Sequence, residues 1–169
     1  MSDVKQHKVK DIFVEGPVDP AFIATSIAKH ATRTDIGAHE IFLGQVRADA
    51  TPGLTRSRVQ TIEYTAYRDM ALERMTSIRE EAFAKWPAMT CLHVHHSLGT
   101  IKAGELCFMV FASAPHRQSA REAVAWVVDR IKAELPIFGK EIIDDDTHQW
   151  KSNDLRDSGP GLRRDDSPE

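Results

Sequence analysis

The sequence predicts a single α+β domain with a mixed or antiparallel sheet and two long helices. β-rich stretches and amphipathic helical stretches follow one another without the strict strand–helix–strand order of a parallel α/β fold. The 169 residues are enough to bury one core without disulfides or a metal. The hydrophobic fraction of 41% and the charged fraction of 28% are typical of a globular protein.

The first predicted elements are a short strand and a helix. The strand is the apolar stretch "DIFVEG", and the helix is "DPAFIATSIAKHA". We expect Asp19 to be the N-cap and Pro20 to occupy the first helical position. A proline is tolerated there because the first backbone N–H groups of a helix have no partner inside the helix.

Two further strands are predicted on either side of a loop. "GAHEIFLGQVRAD" predicts a strand in which the alternation of apolar residues is interrupted near Gly44, which indicates an irregularity. "ATPGLTRS" is rich in turn-forming residues and predicts a mobile loop. "RVQTIEYTAY" alternates again, and it predicts the next strand.

Two long amphipathic helices are predicted in the middle and later parts of the chain. Each carries apolar residues at intervals of three or four, which places them on one side of a helix. The first covers "RDMALERMTSIREEAFAKW", with the stripe Ala71, Met75, Ile78, Ala82 and Trp86. The second covers about residues 116–135, with the stripe Ala120, Val124, Val127, Ile131 and Leu135.

The remaining β-rich stretches complete the predicted sheet. "MTCLHVHHSL" and "GELCFMVFASA" are separated by turn signals, so they predict a hairpin-like pair. Pro136 ends the second long helix, because its ring would clash with the preceding turn and it has no N–H to donate. The "KEIID" that follows predicts a short strand.

Composition restricts the class of protein. The domain is expected to span residues 1–150, and residues 151–169 are polar and rich in Gly, Pro, Asp and Ser, which predicts a largely disordered tail. A net charge of −3 argues against a nucleic-acid-binding protein. No apolar run reaches the ~20 residues of a membrane span and no signal-peptide core is present, so we expect a cytoplasmic protein. Cys91 and Cys107 are expected to be small buried residues.

Basic residues occur where the predicted elements begin or end. Arg47 follows a strand beside the loop, and it is either a solvated charge or part of a site. His116 and Arg117 fall in or near the first turn of a helix, where cations oppose the helix dipole. Both side chains could extend into water, or they could bind an anion together with free backbone N–H groups.

Two lysines flank the end of the second long helix. Lys132 borders the buried stripe, so it is either a favourable cation in the last turn or a lysine that transfers protons. Lys140 follows the proline break and could reach the same space from another element. In "HVHH", His93 and His95 share a strand face, but we expect no metal site because no acidic or thiol partner is evident nearby.

Several motifs occur together in a particular order. They are "GAHEIFLGQVR", "IEYTAYRDMA", "HSLGTIKAGE", "SAPHRQSAREAV", "DRIKAELPIFGKE" and "HQW". In this order, from about Gly37 to Trp150, they resemble the large subunit of molybdopterin synthase, the MoaE family. The resemblance implies an α+β fold of the α/β-hammerhead type.

The resemblance also implies an activity and its partners. Members of the family are sulfurtransferases of molybdenum cofactor biosynthesis, and they convert cyclic pyranopterin monophosphate into molybdopterin. The sulfur comes from the C-terminal thiocarboxylate of a small ubiquitin-like subunit with a Gly-Gly tail. Two large subunits form a homodimer within a heterotetramer, and no cofactor or metal is implied.

Such chemistry needs cations, because both the phosphate substrate and the thiocarboxylate are anions. By resemblance, Lys132 and Lys140 are expected to be catalytic, and His116 and Arg117 to reach the site of the other protomer. The residues expected to bind substrate are Phe42, Gln45, Val46, Arg47, His116, Arg117, Gly139 and Glu141.

Two positions depart from the family pattern. Gly139 stands where the first of two basic residues before the glutamate is usual, and Ser97 stands where an arginine usually follows the histidine. One hypothesis is that Gly139 adopts φ > 0, twists the start of the strand and lets Lys140 replace the missing lysine. The alternative is an impaired or non-catalytic relative that binds the ubiquitin-like tail or the pterin. A phosphate-binding protein unrelated to sulfur transfer is disfavoured, because no Gly-rich phosphate loop is present.

Overall fold

The computed structural model describes residues 10–51, 57–143 and 148–151. Residues 52–56 of the predicted loop and residues 152–169 of the predicted tail lie outside the described residues. The elements, in chain order, are β1 (Phe13–Glu15), α1 (Ala21–His30), β2 (Ala38–Gln45), β3 (Val59–Ala66), α2 (Arg68–Lys85), β4 (Cys91–Lys102), β5 (Leu106–Ala114), α3 (Arg117–Glu134), β6 (Ile137–Ile143) and β7 (His148–Trp150).

The α+β class and all predicted helices and strands are confirmed, and β7 is an additional strand. Helix α1 begins at Ala21, one residue later than predicted. Pro20 is the N-cap instead of Asp19, and the Oδ1 of Asp19 accepts a hydrogen bond of 2.9 Å from the backbone N–H of Ala21. Among the described residues, no helix is both long and apolar enough to cross a membrane.

The strands form one sheet in the order β2-β5-β4-β3-β6-β7, and neighbours in this path are antiparallel. The long strand β4 connects the two halves of the sheet, since its first half pairs with β5 and its second half with β3. Strand β1 adds a short parallel pairing to the middle of β4. The predicted β4–β5 hairpin is therefore confirmed.

Helices α2 and α3 bury the stripes that the sequence predicts. Helix α3 packs against β2 and β5, and α2 packs against α3. All ten predicted stripe residues are buried, from Ala71 to Leu135. A fully buried side chain such as Ile78 contributes about 2 kcal/mol through the hydrophobic effect. This packing fixes the end of α3 above the sheet.

The other face of the sheet is covered by α1 in the region of β4 and β5. Val18, Met109 and Phe111 form a second, smaller core cluster there, against which Phe22 and Ile23 of α1 pack. Successive residues of β5 therefore point into different cores, and the two faces of the sheet have separate environments.

Candidate functional site

A pocket opens where the C-terminal end of α3 lies over the sheet. Its walls come from the ends of β2 and β5, from β3, β4 and β6, and from the residue that follows β7. The residues that line it are Gly44, Gln45, Tyr64, His96, Cys107, Phe108, Ile131, Lys132, Leu135, Ile137, Gly139 and Lys151. Three of the predicted site residues, Gln45, Lys132 and Gly139, are in this set.

An irregularity in the β2–β5 pairing shapes one wall. Gly44 lies opposite Phe108 but Gln45 lies opposite Leu106, so Cys107 is an extra residue on β5. This bulge confirms the irregularity predicted near Gly44. A Cβ atom on Gly44 would lie 3.1 Å from the Cβ of Phe108, so glycine permits the close approach of the strands here.

Tyr64 and Cys107 form a polar pair at the base of the pocket. The Tyr64 hydroxyl donates to Cys107 Sγ at 3.5 Å, and the thiol donates to the carbonyl of Gly44 at 3.5 Å. Burial, together with Cys107, raises the pKa of Tyr64 well above its usual value, so this hydroxyl stays protonated at neutral pH. Cys107 is buried as predicted, but it also lines the pocket.

Lys132 enters the pocket from the last turn of α3. Its Nζ lies 5.6 Å from the centroid of the Phe42 ring, which itself packs edge-on against Phe108 with centroids 5.5 Å apart. This cation–π contact stabilises one position of a flexible side chain by about 0.5–1 kcal/mol. Phe42 therefore contacts Lys132 but is not among the residues that line the pocket.

His96 is a neutral polar group beside Lys132. It is buried, its ring packs against Tyr64 and Phe108 with centroids 5.2 and 5.3 Å away, and its Nδ1 donates to the Ser97 carbonyl at 2.9 Å. Burial, and then the positive charge of Lys132, lowers the pKa of His96 to about 4. Because Nδ1 carries the proton, Nε2 is an acceptor at neutral pH.

The structure does not bring Lys140 to the pocket. Side chains of a strand alternate between its faces, and β6 buries Gly139 and Glu141 on the pocket side while Lys140 points to the other side. Gly139 pairs regularly with Tyr64, and positive φ among the described glycines occurs at Gly16, Gly99 and Gly104. The hypothesis that Gly139 twists the strand and redirects Lys140 is therefore wrong.

Lys151 is the lysine that joins Lys132 in the pocket. Its backbone N–H donates to the Gly139 carbonyl at 2.8 Å, which continues the β6–β7 pairing by one residue. The prediction assigned Lys151 to the disordered tail on composition. The structure places it directly after β7, and where the domain ends stays a prediction.

Val46, which follows β2, and Glu141 of β6 are buried but do not line the pocket. Val46 is 1% exposed and belongs to the hydrophobic core. Glu141 is 9% exposed and follows two residues after Gly139 on the same face of β6. A contact of either side chain with a bound molecule stays a prediction.

Arg47, His116 and Arg117 are exposed and lie away from the pocket lining of their own chain. Arg47 forms an ion pair of 3.1 Å with Asp49. His116 is the N-cap of α3, its side chain makes no capping hydrogen bond, and the first turn of α3 contains no acidic residue. The cationic first turn is thus presented to the outside of the chain.

Tyr64, His96, Cys107 and Lys151 are pocket residues that the site prediction did not include. Alternation separates the two sides of each strand, so it places Tyr64 with Ile62 in β3 and His96 opposite His93 and His95 in β4. It does not show which strands pair, and therefore could not bring Tyr64 and His96 together. The bulge residue Cys107 and the register of β7 carry no strong local signal.

One group of described side chains could hold a metal ion, and it lies on the other face of the sheet, beneath α1. Single ligand atoms of His30, Cys91 and His93 lie within 4.8 Å of one another. The expectation that no thiol partner lies near His93 is wrong, because Cys91 shares its strand face. His30 Nδ1 contacts the Ser26 carbonyl at 2.6 Å, which leaves Nε2 as a possible ligand atom.

Burial, and then the positive charge of Lys10, lowers the pKa of His93 to about 4. Its imidazole is therefore neutral at physiological pH, as metal coordination requires. These three half-buried side chains form a candidate metal site that is separate from the pocket.

Comparison with known proteins identifies relatives. The family described as MoaE protein matches residues 16–134. The molybdopterin synthase catalytic subunit of Drosophila willistoni is 40% identical over 118 residues, which are 69% of this chain and 31% of the relative. The subunit of the same name from Drosophila pseudoobscura pseudoobscura is 33% identical over 83% of this chain and 37% of its own length. The chain thus spans about a third of the length of these curated relatives.

Solved structures share the fold. The molybdopterin synthase from Staphylococcus aureus superimposes with a TM-score of 0.72 at 26% identity, covering 86% of this chain and 99% of that chain. A complex of subunits 1 and 2 of the molybdopterin-converting factor from Helicobacter pylori 26695 contains a chain with a TM-score of 0.67 at 20% identity. That match covers 82% of this chain and 87% of the other.

Proposed function

The chain belongs to the MoaE family, and on this premise we propose that it is the large, catalytic subunit of molybdopterin synthase. In this reaction it transfers sulfur from the C-terminal thiocarboxylate of a small ubiquitin-like partner to cyclic pyranopterin monophosphate. The product is the dithiolene of molybdopterin, so the chain acts as a sulfurtransferase of molybdenum cofactor biosynthesis.

The observation that carries this proposal is the charge of the pocket. Lys132 enters it from α3, Lys151 enters from the end of β7, and none of the described lining residues is acidic. His96 adds no opposing or additional charge at neutral pH, because burial lowers its pKa to about 4. Such a pocket favours anions, and both the cyclic phosphate and the thiocarboxylate are anions.

Each of the two sulfur transfers forms one C–S bond on the pterin side chain, where a C–O bond breaks, and it breaks the C–S bond of one thiocarboxylate. The displaced oxygen leaves as water or, where the cyclic phosphate opens, as a phosphate oxygen. Water supplies the oxygen that converts the released acyl group into a carboxylate, so no oxidant or reductant is consumed. Negative charge develops on oxygen as these bonds change. In this proposal Lys132, which lines the pocket, stabilises that charge and donates a proton, while Gln45 and the Nε2 of His96 offer neutral hydrogen-bonding groups.

The cationic first turn of α3 supports a shared site. His116 and Arg117 are exposed, and no acidic residue of that turn neutralises them. In a homodimer they would complete the pocket of the second protomer, where they would bind the same anions as the two lysines. One small subunit for each large subunit then gives the heterotetramer.

The test is reconstitution. The full chain is incubated with the thiocarboxylated small subunit and cyclic pyranopterin monophosphate, and dithiolene product is measured by mass spectrometry. We expect product only when the small subunit carries the thiocarboxylate. The same subunit with an ordinary C-terminal carboxylate is the matched control, since it docks but cannot donate sulfur.

A second function, a non-catalytic module that binds the ubiquitin-like tail, has one observation in its favour: a glycine at 139 where the family pattern has a lysine. Such a module would bind the small subunit in a pull-down or by calorimetry and yet form no product. Product formation by the wild-type chain would reject it.

A further inference from the structure

We infer that Lys151 is the second cation of the pocket and binds an anionic group of the reactants, a function that Lys140 cannot perform from its strand face. The inference rests on the proposed function and adds a binding residue to it.

The backbone places Lys151 directly across from Gly139. Lys140 pairs with Trp150 in the antiparallel register, so the next pair is Gly139 with Lys151, and the 2.8 Å hydrogen bond between them confirms it. Residues directly opposite in antiparallel strands point to the same face of the sheet, with Cβ positions about 5 Å apart. Because Gly139 faces the pocket, Lys151 faces it too.

Side chains of β3 approach Gly139 closely and leave little room for a side chain at this position. A Cβ on Gly139 would lie 3.1 Å from Ile62 Cγ2 and 3.2 Å from Tyr64 Cε1, closer than most such contacts. No side chain of β6 therefore covers this part of the pocket wall. The aliphatic stem of Lys151 can lie on the same face beside Gly139 while its ammonium remains in the pocket.

The two lysines are the charged residues of the described lining, which contains no carboxylate. Glu141 lies outside this lining, although its charge contributes to the raised pKa of Tyr64. Lys132 and Lys151 come from different elements, a helix end and a strand end, so an oxyanion between them would be bound from two directions. This chemistry suits the phosphate of the pterin and the C-terminal carboxylate or thiocarboxylate of the partner alike.

Lys140 provides a matched control, because it lies on the same hairpin and carries the same charge. It is half-buried on the opposite face of β6, next to the exposed Trp150 in the pairing. Removing its charge changes the net charge of the protein by the same amount as removing that of Lys151. Any difference between the two variants therefore reports position.

The experiment compares Lys151→Met with Lys140→Met in the full chain, and methionine retains most of the aliphatic stem. In steady-state kinetics with the thiocarboxylated subunit, Lys151→Met should raise the KM for one reactant about 10- to 100-fold. This is the loss of affinity expected when one charge-assisted hydrogen bond is removed. Lys140→Met should remain within about twofold of wild type in the same measurement. Lys151→Arg retains the charge and should recover most of the affinity.

Two binding titrations distinguish the sources of the anion. One uses cyclic pyranopterin monophosphate alone, and the other uses the small subunit with its ordinary carboxylate. Weaker binding in the first assigns Lys151 to the phosphate, and weaker binding in the second assigns it to the tail. Unchanged KM and unchanged binding in both titrations, with wild-type activity present, would overturn the inference and leave the proposed function intact. An inactive wild-type chain would instead contradict the proposed function, and the two titrations would still test Lys151.

Discussion

The two faces of β6 differ although they belong to the same seven residues. The pocket face carries Gly139 and the buried Glu141, and it adjoins Tyr64 of β3. The opposite face carries Lys140 and Phe138, whose ring meets that of Tyr67 with centroids 5.6 Å apart. Lys140 follows the pocket residue Gly139 in sequence but does not line the pocket. Lys151, which follows β7, does line it.

This difference shows that adjacency in sequence is a poor guide to a shared site on a sheet. The period of two along a strand separates neighbours, and cross-strand pairing joins residues that are distant in sequence. If the pocket face carries the function, substitutions on that face should reduce activity more than substitutions elsewhere on the molecule.

Replacing Lys132 by alanine should reduce product formation about 100- to 10,000-fold, because it removes the cation that stabilises charge and donates a proton at the reacting atoms. The measurement is single-turnover formation of dithiolene product. Lys85 is a matched control, since it is also a last-turn cation of a long helix and also lies over an aromatic ring, 5.4 Å from that of Trp86. Equal losses for Lys85→Ala and Lys132→Ala would show that only helix stability had been affected.

Mixing Lys132→Ala chains with Arg117→Ala chains should restore activity if each pocket uses the α3 first turn of its neighbour. Half of the randomly formed dimers are mixed and each contains one intact site, so about a quarter of wild-type activity is expected. Activity is measured after co-refolding, with mixed dimers verified by mass spectrometry. Mixed dimers that remain inactive would place both residues in the same protomer's site.

Acidification should destabilise both faces of β4 together. His96 on the pocket face and His93 on the α1 face have pKa values lowered from 6.5 to about 4, with burial the main cause. The unfolded chain therefore binds more protons than the folded chain between these values, and stability present above pH 6.5 is lost as the pH falls towards 4. Urea unfolding at several pH values measures the loss, and NMR titration of the imidazole protons assigns it. A flat unfolding free energy across this window would contradict the burial of these rings.

Ending the chain after Lys151 should have the smallest effect. Residues 152–169 are polar and rich in Gly, Pro, Asp and Ser, so they cannot bury enough apolar area to offset the entropy of ordering. The melting temperature should be unchanged within about 1–2 °C. Ending the chain after Trp150 is the informative comparison, because it should preserve the melting temperature and reduce activity as Lys151→Met does. A large fall in melting temperature for the chain that ends after Lys151 would show that residues 152–169 pack on the domain.

The helices and most strands could be predicted because their signals are local. The stripe from Ala71 to Trp86 records the period of an α-helix, and the alternation around Ile62 and Tyr64 records that of a strand. Lys132 could be recognised for the same reason, since its position beside the stripe follows from helical geometry alone.

The rest of the pocket depends on pairing between segments. Cys107 lines it because β5 contains one more residue than β2 at the bulge, and Lys151 lines it because β7 pairs with β6 in one particular register. Composition assigned Lys151 to a tail, and no periodicity in three residues of β7 could have corrected this. Long-range register, set by the whole sheet, is the missing information.

The short pairing of β6 with β7 has a kinetic consequence. Strand β7 contains three residues and lies at the edge of the sheet, so few hydrogen bonds must break to detach it. Detachment would remove Lys151 from the pocket while the α2–α3 core remained folded. In native-state hydrogen exchange the amide of Lys151 should therefore exchange by a subglobal opening, far faster than the amides of β4. Under mild denaturant, catalytic competence should disappear before the cooperative transition, so that activity and global unfolding have separate midpoints.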